Sequence, residues 1–194
     1  MALAFKTMKY KNQNLAKYLD DLAAKLPAPG GGSAAALNAA MGASLVSMVV
    51  NFSLNKPRYI LFAKELKTIL AKSEKLRKHF LDLVDLDVAA YQSKNMRKSL
   101  ATPLRLARLC SQAAKLCPPL IKKSNVNLIS DVAVAAVFLE SAFVSACFNV
   151  EINLKSLADA KLTQTTRKEL KQMYKIILKI RKNTEDGVGK IIRG

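Results

Sequence analysis

The chain has 194 residues, with 32 Lys plus Arg against 14 Asp plus Glu, a formal net charge of +18 and one histidine. At 51% hydrophobic with 7 Gly and 6 Pro it falls outside the disordered and collagen-like classes, and its length suits one folded domain over residues 1–194. A lone imidazole, His79, excludes His-rich zinc sites and any scheme needing two imidazoles, so no metal is expected and proton chemistry falls to carboxylates, amides or backbone groups.

The first residues, MALAFKTMKYKN, carry lysines too often for the apolar stretch of a secretory signal. Cys110, Cys117 and Cys147 are odd in number and lack CxxC spacing, so a reducing cytoplasm is the expected location. Leu15, Tyr18, Leu19, Leu22 and Leu26 recur at three and four and form one helical stripe. From Leu26 to Asn55 no side chain is charged. That length could span a membrane, but Asn38, Ser44, Ser47, Asn51 and Ser53 interrupt it and Ala outnumbers Leu. The expected structure is a buried helix over 34–54 that packs closely through small residues, with no membrane as partner.

Leu66, Ile69, Ser73, Leu76, Phe80, Val84, Val88 and Tyr91 extend a second stripe with coiled-coil-like spacing. Thr102-Pro103 reads as a helix start, a capping hydroxyl followed by a proline at the first helical position, and Pro118-Pro119 as an interruption. Ser130 can cap a long helix carrying Val132, Ala136, Leu139, Phe143, Ala146, Val150, Leu154 and Leu157 at heptad spacing. A last amphipathic helix spans about 166–182, with Leu170, Met173, Ile177 and Ile180 inward. No alternating strand pattern occurs. The predicted class is all-α, an antiparallel helical bundle in which 34–54 and 131–157 are the most buried helices and the others wrap them with basic outer faces. Those faces are either ordinary solvated surface or an attractor for a polyanion.

Four groups of residues have the composition of a site. Pro29-Gly30-Gly31-Gly32-Ser33 opens the uncharged helix, where converging backbone N–H groups suit a carboxylate or phosphate; alternatively it is a turn with Ser33 as cap. No strand precedes it and no GK[ST] follows, so neither a dinucleotide fold nor a P-loop is implied. Asp87 falls at i+7 from Phe80, between Val84 and Tyr91, and so projects from the apolar stripe, whereas Asp82 and Asp85 point away from it. An inward carboxylate either serves as a general acid or base of raised pKa or hydrogen-bonds a neighbouring helix. Asn125, Asn127, Ser130 and Asp131 cluster at a helix entry, and Ser145, Asn149 and Asn153 form a polar ridge on an otherwise apolar helix, facing another helix or a polar ligand.

In their order along residues 15–159, the segments PAPGGGSAAALNAAMGASLVSMV, DVAAY, NVNLISDVAVAA and NVEINLKSLAD resemble the cyclodeaminase/cyclohydrolase family, the folate-processing domain of formiminotransferase-cyclodeaminase. The resemblance implies an all-helical enzyme that forms homodimers or assemblies of dimers and acts on tetrahydrofolate derivatives. It further implies Asp87 as the catalytic residue, with Asp131 as its alternative or partner. Gly30, Gly31, Gly32, Ser33 and Asn127 then belong to the substrate site, and the ridge amides Asn149 and Asn153 are added to it. Two departures stand out: Val126 occupies a common proline position, and the stretch after Tyr91 (KNMRKSLATPLRLAR) is shorter and more basic than the family's.

The implied reaction lies at the one-carbon unit bridging N5 and N10 of tetrahydrofolate, as a 5,10-methenyltetrahydrofolate cyclohydrolase or a 5-formiminotetrahydrofolate cyclodeaminase. A polyglutamylated folate would give the basic surface a purpose. The alternatives are a folate-binding protein without catalysis and a basic helical nucleic-acid binder; against the latter, no aromatic-studded basic face or known reading motif is present, so nucleic acid is not the expected partner.

Overall fold

Helix follows from the apolar spacing almost everywhere after Asn14. A computed structural model describes residues 9–194, and every regular element among them is helical. α1 spans Leu15–Ala23, α2 Gly31–Asn51, α3 Ala63–Gln92, α4 Met96–Ala114, α5 Cys117–Lys123, α6 Ile129–Leu157 and α7 Ala160–Arg193. Short 3-10 segments cover Tyr10–Asn12, Pro57–Phe62 and Val126–Leu128.

α2 is central because its residues are small or apolar and uncharged all round, so it can be enclosed between α3 and α6. Gly42 sets its distance from α6, since a Cβ there would lie 2.9 Å from Leu139 Cγ and 3.2 Å from the Ala135 carbonyl. The two helices run in opposite senses: Gly31 lies against Asn149, Asn38 Nδ2 donates to the Phe138 carbonyl at 3.2 Å, and Ser53 Oγ accepts from the Asn125 N–H at 2.8 Å. Both are long and apolar enough to cross a membrane, but most of α2 is spent on packing within the chain. α6 is less enclosed than expected for a second central helix: Phe148 is 73% and Ile152 61% exposed, and Val134 and Val137 also reach the surface.

The α3 stripe from Leu66 through Val88 is buried, apart from Tyr91 at its end, which is exposed. Its polar member, Ser73, is satisfied by Ser47 of α2, Oγ to Oγ 2.8 Å. The coiled-coil-like spacing is therefore consumed inside the chain and offers no face to a second copy. The α1 stripe fails differently. α1 has nine residues and docks through Tyr18, which leaves Leu15, Leu19 and Leu26 exposed.

Three helix boundaries differ from expectation. Thr102-Pro103 does not start a helix, because α4 begins at Met96, where the Asn95 side chain accepts the Lys98 N–H at 3.1 Å. Pro103 lies buried within α4; lacking an N–H, it frees the Ser99 carbonyl, which accepts from Asn153 Nδ2 at 2.9 Å instead. Ser130 is not a cap either: the chain enters α6 through the 3-10 turn at Val126–Leu128, where the Asn125 side chain accepts the Asn127 N–H and the Tyr59 hydroxyl accepts the Val126 N–H. α7 starts at the Asp159 cap and continues to Arg193, past two glycines, anchored by Ile177, Thr184 and Val188 against the body.

Candidate active site at the N-terminus of α2

The glycines are part of α2 and do not merely precede it. Gly30 is the N-cap without any side-chain cap bond, so the first N–H groups of the helix point outward without helical acceptors, at its positive end. Ser33 is no cap; it is fully buried, its Oγ accepting from the Tyr18 hydroxyl at 3.2 Å. Across from this first turn stands Asp87 of α3. A Cβ on Gly32 would lie 2.2 Å from Asp87 Oδ1 and 2.6 Å from its Cγ, so a residue without a side chain at 32 is what admits the carboxylate.

Burial pushes the Asp87 carboxyl above the usual carboxylate range, and a hydrogen bond from the Ser33 backbone N–H works in the opposite direction without cancelling it. Tyr18, buried beside it, is raised by burial first, then lowered by its Ser33 contact and raised by the charge of Asp87.

Asp87 opens onto a cavity of about 340 Å³ bounded by Gly30, Gly31 and Gly32 of α2, Ala90 and Tyr91 of α3, Ser99 of α4, and Asn149, Ile152 and Asn153 of α6. Asn149 Nδ2 donates to the Ser145 carbonyl at 2.9 Å, and Asn153 Nδ2 donates to the carbonyls of Ser99 and Asn149 at 2.9 and 2.7 Å. Carbonyls only accept, so these bonds fix the amides' orientation and leave their Oδ1 atoms to receive N–H or O–H groups of a ligand. The cavity thus combines helix-terminal N–H donors, amide acceptors, a carboxyl that protonates readily and an apolar wall. Larger cavities lie beside Phe148 and Asp159 and between α3 and α4, but neither is lined by the glycine turn that opens α2 or by Asp87.

Six of the residues singled out from the sequence therefore meet here: Gly30, Gly31, Gly32, Asp87, Asn149 and Asn153. Ser33 contributes from beneath through its backbone. Asn127 and Asp131 do not join them. They follow Asn125, which is tied to Ser53 beyond the far end of α2, so the 21 residues of α2, about 30 Å at 1.5 Å per residue, separate them from Gly31 within one chain. Asp82 and Asp85 face the N-terminal turn, where Lys11 Nζ pairs with Asp82 at 2.7 Å and the Lys11 N–H donates to Asp85 at 3.3 Å. Tyr18 and Ser99 were not foreseen as site residues. For Ser99 the signal was Pro103 four positions on, which frees its carbonyl; for Tyr18 no local signal distinguished it from the leucines of its stripe.

Fold and cavity together define an all-helical chain whose candidate site sets one buried carboxyl against a helix terminus. The chain belongs to the formiminotransferase-cyclodeaminase family, whose profile matches residues 14–94 and 92–172. It is 35% identical to a methenyltetrahydrofolate cyclohydrolase of Methylorubrum extorquens, covering 82% of this chain and 88% of that protein. It is 28% identical to a formimidoyltransferase-cyclodeaminase of Rattus norvegicus, again over 82% of this chain but only 34% of the longer relative. The crystal structure of a formiminotetrahydrofolate cyclodeaminase from Thermotoga maritima superposes with a TM-score of 0.89 at 25% identity, covering 94% of this chain and 98% of that one.

Proposed function

We propose that this chain is a 5,10-methenyltetrahydrofolate cyclohydrolase in which Asp87 moves the protons. The observation that carries this reading is the 35% identity extending over 88% of a relative of that name, joined to a raised-pKa carboxyl that lines the cavity. Water adds to the methenyl carbon and gives one proton to Asp87, leaving a neutral hydroxy-aminal. As the hydroxyl loses its proton and the carbonyl forms, the bond from carbon to N5 breaks and N5 is protonated. The products are 10-formyltetrahydrofolate and one released proton. The α2 N–H groups lie where negative charge on oxygen is stabilised, while Asn149 and Asn153 accept from pterin or amine N–H groups.

The second reading is cyclodeaminase, supported by the Thermotoga maritima structure. Here N10 attacks the protonated formimino carbon, Asp87 carries the N10 proton to the departing amine, and ammonia leaves as the methenyl ring closes. The absorbance of 5,10-methenyltetrahydrofolate decides between them: its loss with water as co-substrate supports the hydrolase, and its formation from the formimino compound the deaminase. Folate binding with neither reaction leaves a binding protein.

The dimer is part of the same reading. α2 presents Ala34, Asn38, Met41, Leu45, Met48 and Phe52 along one partly open, uncharged edge, and α6 leaves Val134, Val137, Phe148 and Ile152 exposed. On a chain of +18 such a face is suited to a second copy. A twofold axis across the middle of α2 lays the Asn127 and Asp131 end of one copy against the glycine end of the other, which would let these residues reach the pterin or the reacting group. Light scattering is expected to give about twice 21.2 kDa, and Met41→Glu, which puts a charge at the centre of that face, to give monomers whose turnover is lost although Asp87 is intact. A wild-type monomer that turns over normally would sink the shared site.

A further inference from the structure

Away from the site, three lysines line a second cavity, between α3 and α4. A groove of about 530 Å³ runs between α3 and α4, walled by Lys72, Lys75 and His79 on one side and Gln112 and Lys115 on the other, with Leu76, Leu109 and Leu116 as its floor. Lys72, Lys75 and Lys115 pair with no carboxylate of any described residue, and residues 1–8, MALAFKTM, contain no acid. Glu74, which falls between Lys72 and Lys75 on α3, is already engaged by Arg77 at 2.6 Å. The groove is therefore cationic without internal neutralisation, and a low-dielectric cleft of one charge sign concentrates counter-ions.

We propose that the α3/α4 groove binds a flexible polyanion, several carboxylates or phosphates on one stem, at a place distinct from the Asp87 cavity. Lys72, Lys75 and His79 recur at each turn over seven residues of α3, about 10 Å, which matches repeated anions better than one compact anion. The leucine floor accepts the apolar stem between the charges. His79 lies eight residues before Asp87 on the same helix, about 12 Å, so the anion is either the tail of the molecule held at Asp87 or a separate polyanion.

Calorimetric titration of the full-length protein with tri-γ-glutamate and with tripolyphosphate, against glutamate and inorganic phosphate, tests this. At least one of the three-unit probes is expected to bind more tightly than its single unit. The combined Lys72→Gln, Lys75→Gln and Lys115→Gln variant should weaken it about tenfold, the sum expected of three exposed charge contacts. A control of equal charge loss on α7, Lys168→Gln with Lys175→Gln and Lys179→Gln, should retain wild-type binding. Absence of binding to wild type, unchanged binding in the groove variant, or equal loss in the α7 control overturns the site. A lower KM for triglutamyl than for monoglutamyl methenyltetrahydrofolate, abolished in the groove variant, identifies the anion as the substrate's tail; polyanion binding without that difference identifies a separate ligand. The titrations need no turnover, so they judge the groove even if the folate reading fails.

Discussion

Asp87→Asn should retain the fold and bind folate while its turnover falls about 100- to 10,000-fold, the loss typical of a missing general acid or base. Asn preserves the shape of the side chain and still accepts the Ser33 N–H, so the change isolates the titrating proton. The same substitution has a second signature in stability. Burial raises the native pKa of Asp87 above its unfolded value, so the native state holds the proton more tightly, and stability falls as pH rises from the ordinary carboxylate range through the raised value. Asparagine carries no such penalty. Thermal unfolding should therefore find Asp87→Asn more stable than wild type near pH 7, with the advantage vanishing in acid. Asp82→Asn, on the Lys11 pair away from the cavity, should leave turnover unchanged. Normal turnover by Asp87→Asn would make the residue structural and pass the acid–base role to Asp131.

Gly32→Ala is expected to cost about 100-fold or more in turnover, because its methyl group would occupy the space of the Asp87 carboxylate, 2.2 Å from Oδ1, and a displacement of about 1 Å suffices for such a loss. Within a helix Ala is favoured over Gly by about 0.5–1 kcal/mol, so the inactive protein should remain folded by circular dichroism. Gly30→Ala gives the contrast. Nothing lies within 4 Å of a Cβ at that position and its φ is −135°, so its loss should be much the smaller of the two. Equal losses would show that the first turn of α2 acts through the flexibility of its glycines rather than through the room it leaves for Asp87.

The groups that could be read from sequence are those whose geometry is local. Asp87 among Phe80, Val84 and Val88, and Asn149 and Asn153 on an apolar helix, were identifiable because position on a helix face follows from spacing at 3.6 residues per turn. Helix ends were less legible, since the cues compete: Thr102-Pro103 has the form of a start, yet α4 runs through it because Asn153, distant in sequence, takes over the carbonyl that Pro103 leaves unpaired.

Composition and periodicity were enough to specify an all-helical chain, the central place of the uncharged α2 and the inward direction of one carboxylate, because each depends on neighbours within a few turns. They could not say that Asp87 meets Gly32, that Tyr18 sits under Ser33, or that Asn127 and Asp131 lie an entire helix away from the cavity. Those facts depend on which faces of α2, α3 and α6 pack together and in which sense they run. Packing is settled by the shape of whole helices, with Gly32 and Gly42 allowing close approach, and no local pattern in the chain encodes that pairing.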